Sequence, residues 1–216
     1  MMRIVYLHGL ASSPQSSKAR FFGEKFRQAG IPFAAPALDQ GDFEGLTITS
    51  QLEVIHSAVG DGASGVVLMG SSLGGYLAAL FATTFAATHA QAVDRLILMA
   101  PAFDFLNRWK ARLSPEEIVR WKTQGWFPIY HYGAKAERRL GYQFLEDGAR
   151  YPGVPDFSQR ALILQGTEDP VVPAAGSQDF AKEHPSVRLA LFPSGHELTD
   201  VLDGLWREVA CFLDIP

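Results

Sequence analysis

A chain of 216 residues, 47% of them hydrophobic, can bury most of its apolar surface in one core, so a single domain over residues 1–216 is expected. Lys and Arg number 19 against 23 Asp and Glu, and the net charge of -4 leaves no basic surplus for phosphates or an anionic membrane, which argues against nucleic acid as a partner. No run approaches the roughly 18 apolar residues of a bilayer span, and residues 1–8 lack the pattern of a secretory leader, so no membrane span and a cytoplasmic location are expected.

In chain order, short runs rich in Val, Ile and Leu at 2–7, 31–36, 65–70, 95–100, 160–166 and 187–192 are too short for typical helices and nearly continuous in apolarity. That is the pattern of parallel strands covered on both faces. Stretches of helical spacing separate them at 15–29, 47–59, 73–89, 173–184 and 197–213. The alternation predicts an open, mostly parallel sheet of about six strands in a three-layer α/β/α arrangement, with ligands bound beyond the carboxyl ends of the strands. The rhythm breaks once, over about 101–158, where helix-like pieces near 114–124 and 134–147 suggest a short helical cap inserted over that end. Cys211, the single cysteine, has no internal disulfide partner and is expected to pack in the core of the last helix in a reducing compartment.

The first strand closes on Leu7-His8-Gly9-Leu10. A glycine here lets the backbone bend under a substrate, and the Leu10 N–H is expected to help hold an oxyanion. His8 precedes the candidate nucleophile in the chain and is expected to hold the loop through hydrogen bonds rather than act as a base. Ser12, Ser13 and Pro14 are explained as a serine N-cap with proline at the first helical position.

The third strand runs into Gly70-Ser71-Ser72-Leu73-Gly74, where a helix begins. A sharp strand-to-helix turn crowds the residues two before and two after the serine, which must be tiny. Gly70 and Gly74 meet that demand for Ser72, whereas Met69 and Leu73 fail it for Ser71. Ser72 is therefore the candidate nucleophile, Ser71 a flanking residue, and the Leu73 N–H at the helix start the second oxyanion donor.

A serine needs a neutral imidazole as base and a carboxylate to orient that imidazole, and on such a sheet they follow in the order acid, then histidine. The run 161–166 ends in Thr167-Glu168-Asp169-Pro170-Val171-Val172-Pro173, where the spacing from Gly166 favours Asp169 over Glu168; Asp104 is the second candidate acid. The run 187–192 ends in Pro193-Ser194-Gly195-His196, which makes His196 the base. His56, His89, His131 and His184 lie away from strand ends and are assigned to structure or solvent. The cap carries Phe103, Phe105, Trp109, Trp121, Trp126, Phe127, Tyr130, Tyr132, Tyr142 and Phe144. Most are expected to pack, about one in three to face a pocket. Arg108, Lys110 and Arg112 near the first cap helix offer attraction for an anionic headgroup, but read first as interspersed charge on an exposed face.

These motifs resemble the α/β-hydrolase superfamily, at residues 7–9, 70–75, 166–173 and 195–196. More narrowly, Leu7-His-Gly-Leu-Ala-Ser-Ser-Pro-Gln-Ser-Ser-Lys-Ala19 is similar to small bacterial YqiA-type esterases, and the insertion to short-lid acyl-protein thioesterases. The resemblance implies hydrolysis of a small acyl ester or thioester through an acyl-enzyme, with Ser72, Asp169 and His196 as triad and no metal or other cofactor. Leu10 and Ala11 replace the Gly-Gly-Gly oxyanion loop of some members, which disfavours bulky tertiary-alcohol esters. A non-catalytic binder, and a peptidase or lyase using the same triad, are the alternative readings; oligomeric state is not legible.

Overall fold

The computed structural model describes residues 1–61, 63–85 and 92–216. Among these residues, six strands form one parallel sheet: β1 (Arg3–Leu7), β2 (Phe33–Ala34), β3 (Val66–Ser71), β4 (Val93–Met99), β7 (Arg160–Gly166) and β8 (Val187–Phe192), in the order β2-β1-β3-β4-β7-β8. The order reverses between β1 and β3, so the loops leaving these two strands diverge and open a crevice at their carboxyl ends. β2 is shorter than its apolar run suggests, because Pro32 and Pro36 bracket it and proline lacks the N–H that a ladder uses.

Alternate residues of each strand feed two cores. Ile4, Tyr6, Val67, Met69, Ile97, Met99, Leu162 and Leu164 pack beneath α1 (Ser17–Gln28) and the last helix, α8 (Leu202–Leu213). Val5, Leu7, Val66, Leu68, Leu96, Leu98 and Ile163 pack beneath α2 (Ile48–Val59), α3 (Leu73–Thr84) and α7 (Ala174–Glu183). α3 is buried from Leu73 through Ala82, because it lies between the sheet on one side and α2 with the inserted segment on the other. The expected continuation of this helix over 86–89, with His89, lies outside the described residues.

Four expectations need correction. The inserted segment is not helical throughout: α4 (Phe105–Arg112) and α5 (Pro115–Gln124) are followed by an antiparallel hairpin, β5 (Trp126–His131) with β6 (Ala136–Gly141), and helix survives only in α6 (Gln143–Gly148). Glu137, Arg138 and Arg139 point into solvent, so β6 carries no alternating apolar signal and its charges mimic an exposed helix. Second, α1 is capped not by Ser12 or Ser13 but by Ser16, whose Oγ accepts from the Ala19 N–H at 3.3 Å. Third, α8 begins at Leu202 rather than 197, leaving His196 in a loop. Fourth, Cys211 is exposed: Leu205, Val209, Phe212 and Leu213 make the buried stripe of α8, and position 211 falls outside it.

Candidate active site

β3 ends at Ser71 and α3 begins at Leu73, so Ser72 makes the whole turn, with φ 55° and ψ -117°. Its backbone is held on both sides. The Ser72 N–H donates to the Met99 carbonyl at 2.9 Å, and the Ser72 carbonyl accepts from Ala102 at 3.0 Å and from Gly75 at 3.0 Å. A side chain at Gly70 would collide with the Gly74 carbonyl, and one at Gly74 with the Leu7 carbonyl. The two glycines are therefore the condition for the turn, and Gly9 lies close enough beneath it that a Cβ there would meet Ser72 Cβ at 3.4 Å.

The loops after β7 and β8 bring the other two groups to this point. Ser72 Oγ–H donates to His196 Nε2 at 2.9 Å, and His196 Nδ1–H donates to Asp169 Oδ2 at 2.8 Å. Asp169 is buried and its acceptors are filled: Oδ1 takes the N–H groups of Val171 (2.8 Å) and Val172 (2.7 Å), and Oδ2 also takes Gln165 Nε2 at 3.1 Å. Burial pushes the Asp169 carboxyl up, but the hydrogen bonds from His196, Val172 and Val171 and the nearby His196 charge outweigh it and hold the group below the usual carboxylate range. Glu168 faces solvent, and Asp104 sits instead at the start of α4, accepting from Asn107 Nδ2 at 2.7 Å.

Two residues that the sequence reading passed over support this arrangement. Gln165 interrupts the apolar run of β7; its amide also donates to the Val172 carbonyl at 2.9 Å while Oε1 accepts from Ser177 Oγ at 2.9 Å, which fixes the face shown to Asp169. Lys18 is buried on α1 and donates to the Glu197 carbonyl at 2.6 Å, with Glu197 Oε2 at 3.6 Å, pinning the residue after His196. A lysine on the inner side of a helix and a glutamine inside a strand are the available signals, but their partners lie far away in sequence.

Leu10 and Leu73 both line a cavity of about 210 Å³ over Ser72. The Leu10 N–H donates to no group among the described residues, and the Leu73 N–H, in the first turn of α3, has no intrahelical acceptor. The Tyr132 N–H, at the hairpin tip, donates to the Ala11 carbonyl at 2.8 Å and steadies the loop that carries Leu10. Phe105, Trp109, Val171 and Val172 make apolar walls. Of the other cap aromatics, Phe103, Trp121 and Phe144 are core residues, and Tyr130 and Tyr132 are exposed. Arg108 is half-buried and lines this cavity, a correction to its reading as exposed charge; Arg112 also reaches the lining but is exposed, as Lys110 is, in keeping with the exposed-face reading. The helix α4 that turns Arg108 inward has no side-chain cap to announce it, since its N-cap Asp104 adopts a left-handed conformation.

His8 is buried beside this loop. Its Nε2 accepts from the Leu38 N–H at 3.2 Å, which leaves the proton on Nδ1 to donate to the Gly9 carbonyl at 3.0 Å. Burial pushes its pKa down from 6.5, against the hydrogen bond to Gly9 and the charge of Asp39. The unfolded chain therefore takes up this proton first on acidification, and folding stability falls as pH drops below about 6.5. Denaturant titrations at pH 7.5 and 5.5 are expected to show a wild-type loss that shrinks in His8→Gln by up to about 1 kcal/mol. Equal losses in the two proteins would refute a neutral His8.

Of the remaining histidines, His131 is buried with Nδ1 accepting from the Ala134 N–H at 3.0 Å, His184 stacks on Phe180, and His56 lies on α2. None reaches Ser72. Among the described residues no group of three or more His, Cys, Asp or Glu side chains is placed to hold a metal ion, and no helix is long and apolar enough to cross a membrane.

Comparison with known proteins gives a family and a fold. The model of an uncharacterised protein family, UPF0227, which is YqiA-like, matches residues 3–213. No curated protein matches. Among solved structures, alpha/beta hydrolase domain-containing protein 10 from mouse superposes with a TM-score of 0.79 at 22% identity, over 98% of this chain and 89% of that one. The Est1E protein of Butyrivibrio proteoclasticus, solved with ferulic acid bound, gives 0.75 at 18% identity, over 99% and 90%. A monoacylglycerol lipase from Paleococcus ferrophilus gives 0.70 at 15% identity, over 99% and 94%. The six-stranded parallel sheet flanked by helices is thus an α/β-hydrolase fold.

Proposed function

The chain belongs to the UPF0227 family, and from that premise and the geometry around Ser72 we propose that it is a serine hydrolase of carboxylic esters or thioesters acting through an acyl-enzyme. The observation that carries this reading is the unbroken path from Ser72 Oγ through His196 to Asp169, at 2.9 and 2.8 Å, on a serine held with φ 55° over a cavity. Neighbours in fold include Est1E, with ferulic acid bound, and a monoacylglycerol lipase, which agrees with an acyl substrate.

The chemistry follows from the groups present. Ser72 Oγ attacks the acyl carbon as its proton passes to His196 Nε2, and the carbonyl oxygen becomes an oxyanion facing the Leu10 and Leu73 N–H groups. Collapse expels the alcohol or thiol, which takes the proton from His196 and leaves the acyl group on Ser72. Water then gives a proton to His196 and its oxygen to the acyl carbon; the second collapse returns the proton to Ser72 and frees the acid. Asp169 keeps the Nδ1 proton in place throughout and steadies the imidazolium. These groups need no metal or organic cofactor. We assign residues 1–216 to one domain with residues 101–158 inserted over the strand ends, and His8, Gly9, Gly70 and Gly74 to support of the site.

A serine-directed fluorophosphonate is expected to label folded protein at Ser72, located by peptide mass, and p-nitrophenyl esters of graded chain length are expected to be hydrolysed at rates that the label abolishes. Labelling elsewhere, or no labelling and no turnover, would overturn the reading.

A further inference from the structure

The inward face of α4 presents Phe105, Arg108, Trp109 and Arg112, spaced at i, i+3, i+4 and i+7, to the cavity above Ser72. Two aromatic rings and two guanidinium groups thus share a wall with the proposed nucleophile. No carboxylate lines this cavity among the described residues. Arg108 is half-buried, and its side chain makes no hydrogen bond or ion pair with any described residue. Arg112, exposed at the rim of the cavity, donates to neutral acceptors, the carbonyls of Pro170 (2.8 Å) and Val171 (3.1 Å), rather than to a carboxylate.

The nearest acids are already engaged. Asp104 accepts from Asn107, and Asp169 is saturated by His196, Gln165 and two backbone N–H groups. Burial already lowers the Arg108 pKa against the pull of Asp104, with Arg112 adding to the strain, and a guanidinium stays charged regardless. A cation taken partly out of water without a partner is unfavourable unless a ligand supplies the partner.

Resting on the Ser72 reading, we propose that Arg108, backed by Arg112, binds a carboxylate carried by one half of the ester, so that the substrate class is small anionic esters. The planar guanidinium matches a carboxylate in two parallel hydrogen bonds, and Phe105 and Trp109 flank the short apolar chain between the anion and the scissile carbonyl. A volume of about 210 Å³ suits such a chain and lies below that of pockets for large headgroups.

Two matched substrate pairs test this. In the first the charge is on the acyl half, mono-p-nitrophenyl adipate against p-nitrophenyl hexanoate; in the second it is on the alcohol half, 4-carboxyphenyl butyrate against phenyl butyrate. After division by each ester's spontaneous hydrolysis rate, kcat/KM of the wild type is expected to favour the carboxylate by about tenfold or more in one pair. Arg108→Gln should bring that ratio close to one, and Arg108→Lys should retain part of it. No preference in either pair, or a preference that survives Arg108→Gln, would overturn the proposal. Calorimetry on Ser72→Ala with the same two pairs separates this inference from the catalytic one: in at least one pair the carboxylate ester should bind more tightly than its uncharged partner, and addition of Arg108→Gln should abolish the difference. If that difference is present while no ester is hydrolysed, the anion site stands and the hydrolase reading falls. If esters are hydrolysed without it, the anion site falls alone.

Discussion

Ser72→Ala is expected to lower kcat on any ester that the wild type cleaves by about 10⁴-fold or more, with KM changed far less and the fold intact. Alanine deletes the only atom that would form the acyl bond, while the cavity walls and the Leu10 and Leu73 N–H groups stay in place. What survives is the catalysis that binding and oxyanion stabilisation supply without a nucleophile. The fold should tolerate the change. Ser72 makes no side-chain cap bond to α3, so the variant loses one hydrogen bond, to His196, of about 1 kcal/mol. The positive φ is as unfavourable for alanine as for serine, and the backbone bonds to Met99, Gly75 and Ala102 do not involve Oγ. Steady-state rates, with far-UV circular dichroism and a thermal melt to establish folding, decide it; retention of a tenth of the activity by folded variant would exclude Ser72 as nucleophile.

The parts that sequence made legible share a cause. The central strands β1, β3, β4 and β7, covered on both faces, must be largely apolar and so stand out, whereas the edge strands β2 and β8 are partly exposed; a turn that rejects every Cβ at Gly70 and Gly74 singles out Ser72 from Ser71. Asp169 and His196 were legible because each follows an apolar run directly. The cap was not, for its hairpin strands are short and solvent-facing, and Glu137-Arg138-Arg139 gives no period that separates strand from helix. Arg108 illustrates a further limit. Nothing in its neighbours says which face of α4 meets the sheet, because that follows from how Trp109, Trp121 and Phe144 pack together. Lys18 is similar, since its acceptor lies 179 residues away and only the tertiary fold brings the two together.

Asp169→Asn is expected to cost about 10³- to 10⁴-fold in kcat, and Asp104→Asn no more than about twofold. The asymmetry comes from hydrogen bonds rather than from charge alone. The N–H groups of Val171 and Val172 will claim the one oxygen of an asparagine at 169, because both already donate to Oδ1. The amide nitrogen is then left facing His196 Nδ1 and Gln165 Nε2, where a carboxylate oxygen now accepts from both. As a donor it meets Gln165 unfavourably and forces the imidazole proton from Nδ1 to Nε2. A proton on Nε2 is the wrong tautomer, since that nitrogen must accept from Ser72. Stability should record the same change. A carboxyl held below its ordinary pKa of 3.8 stabilises the fold above that pH and loses the contribution as pH falls through its folded value, so the gap between wild type and Asp169→Asn should be open at neutral pH and narrow below about 3.8. Asp104, by contrast, has a left-handed backbone that asparagine adopts readily, and its oxygen can go on accepting from Asn107. Equal losses of kcat in the two variants would mean that Asp169 does not orient His196, whatever their separation.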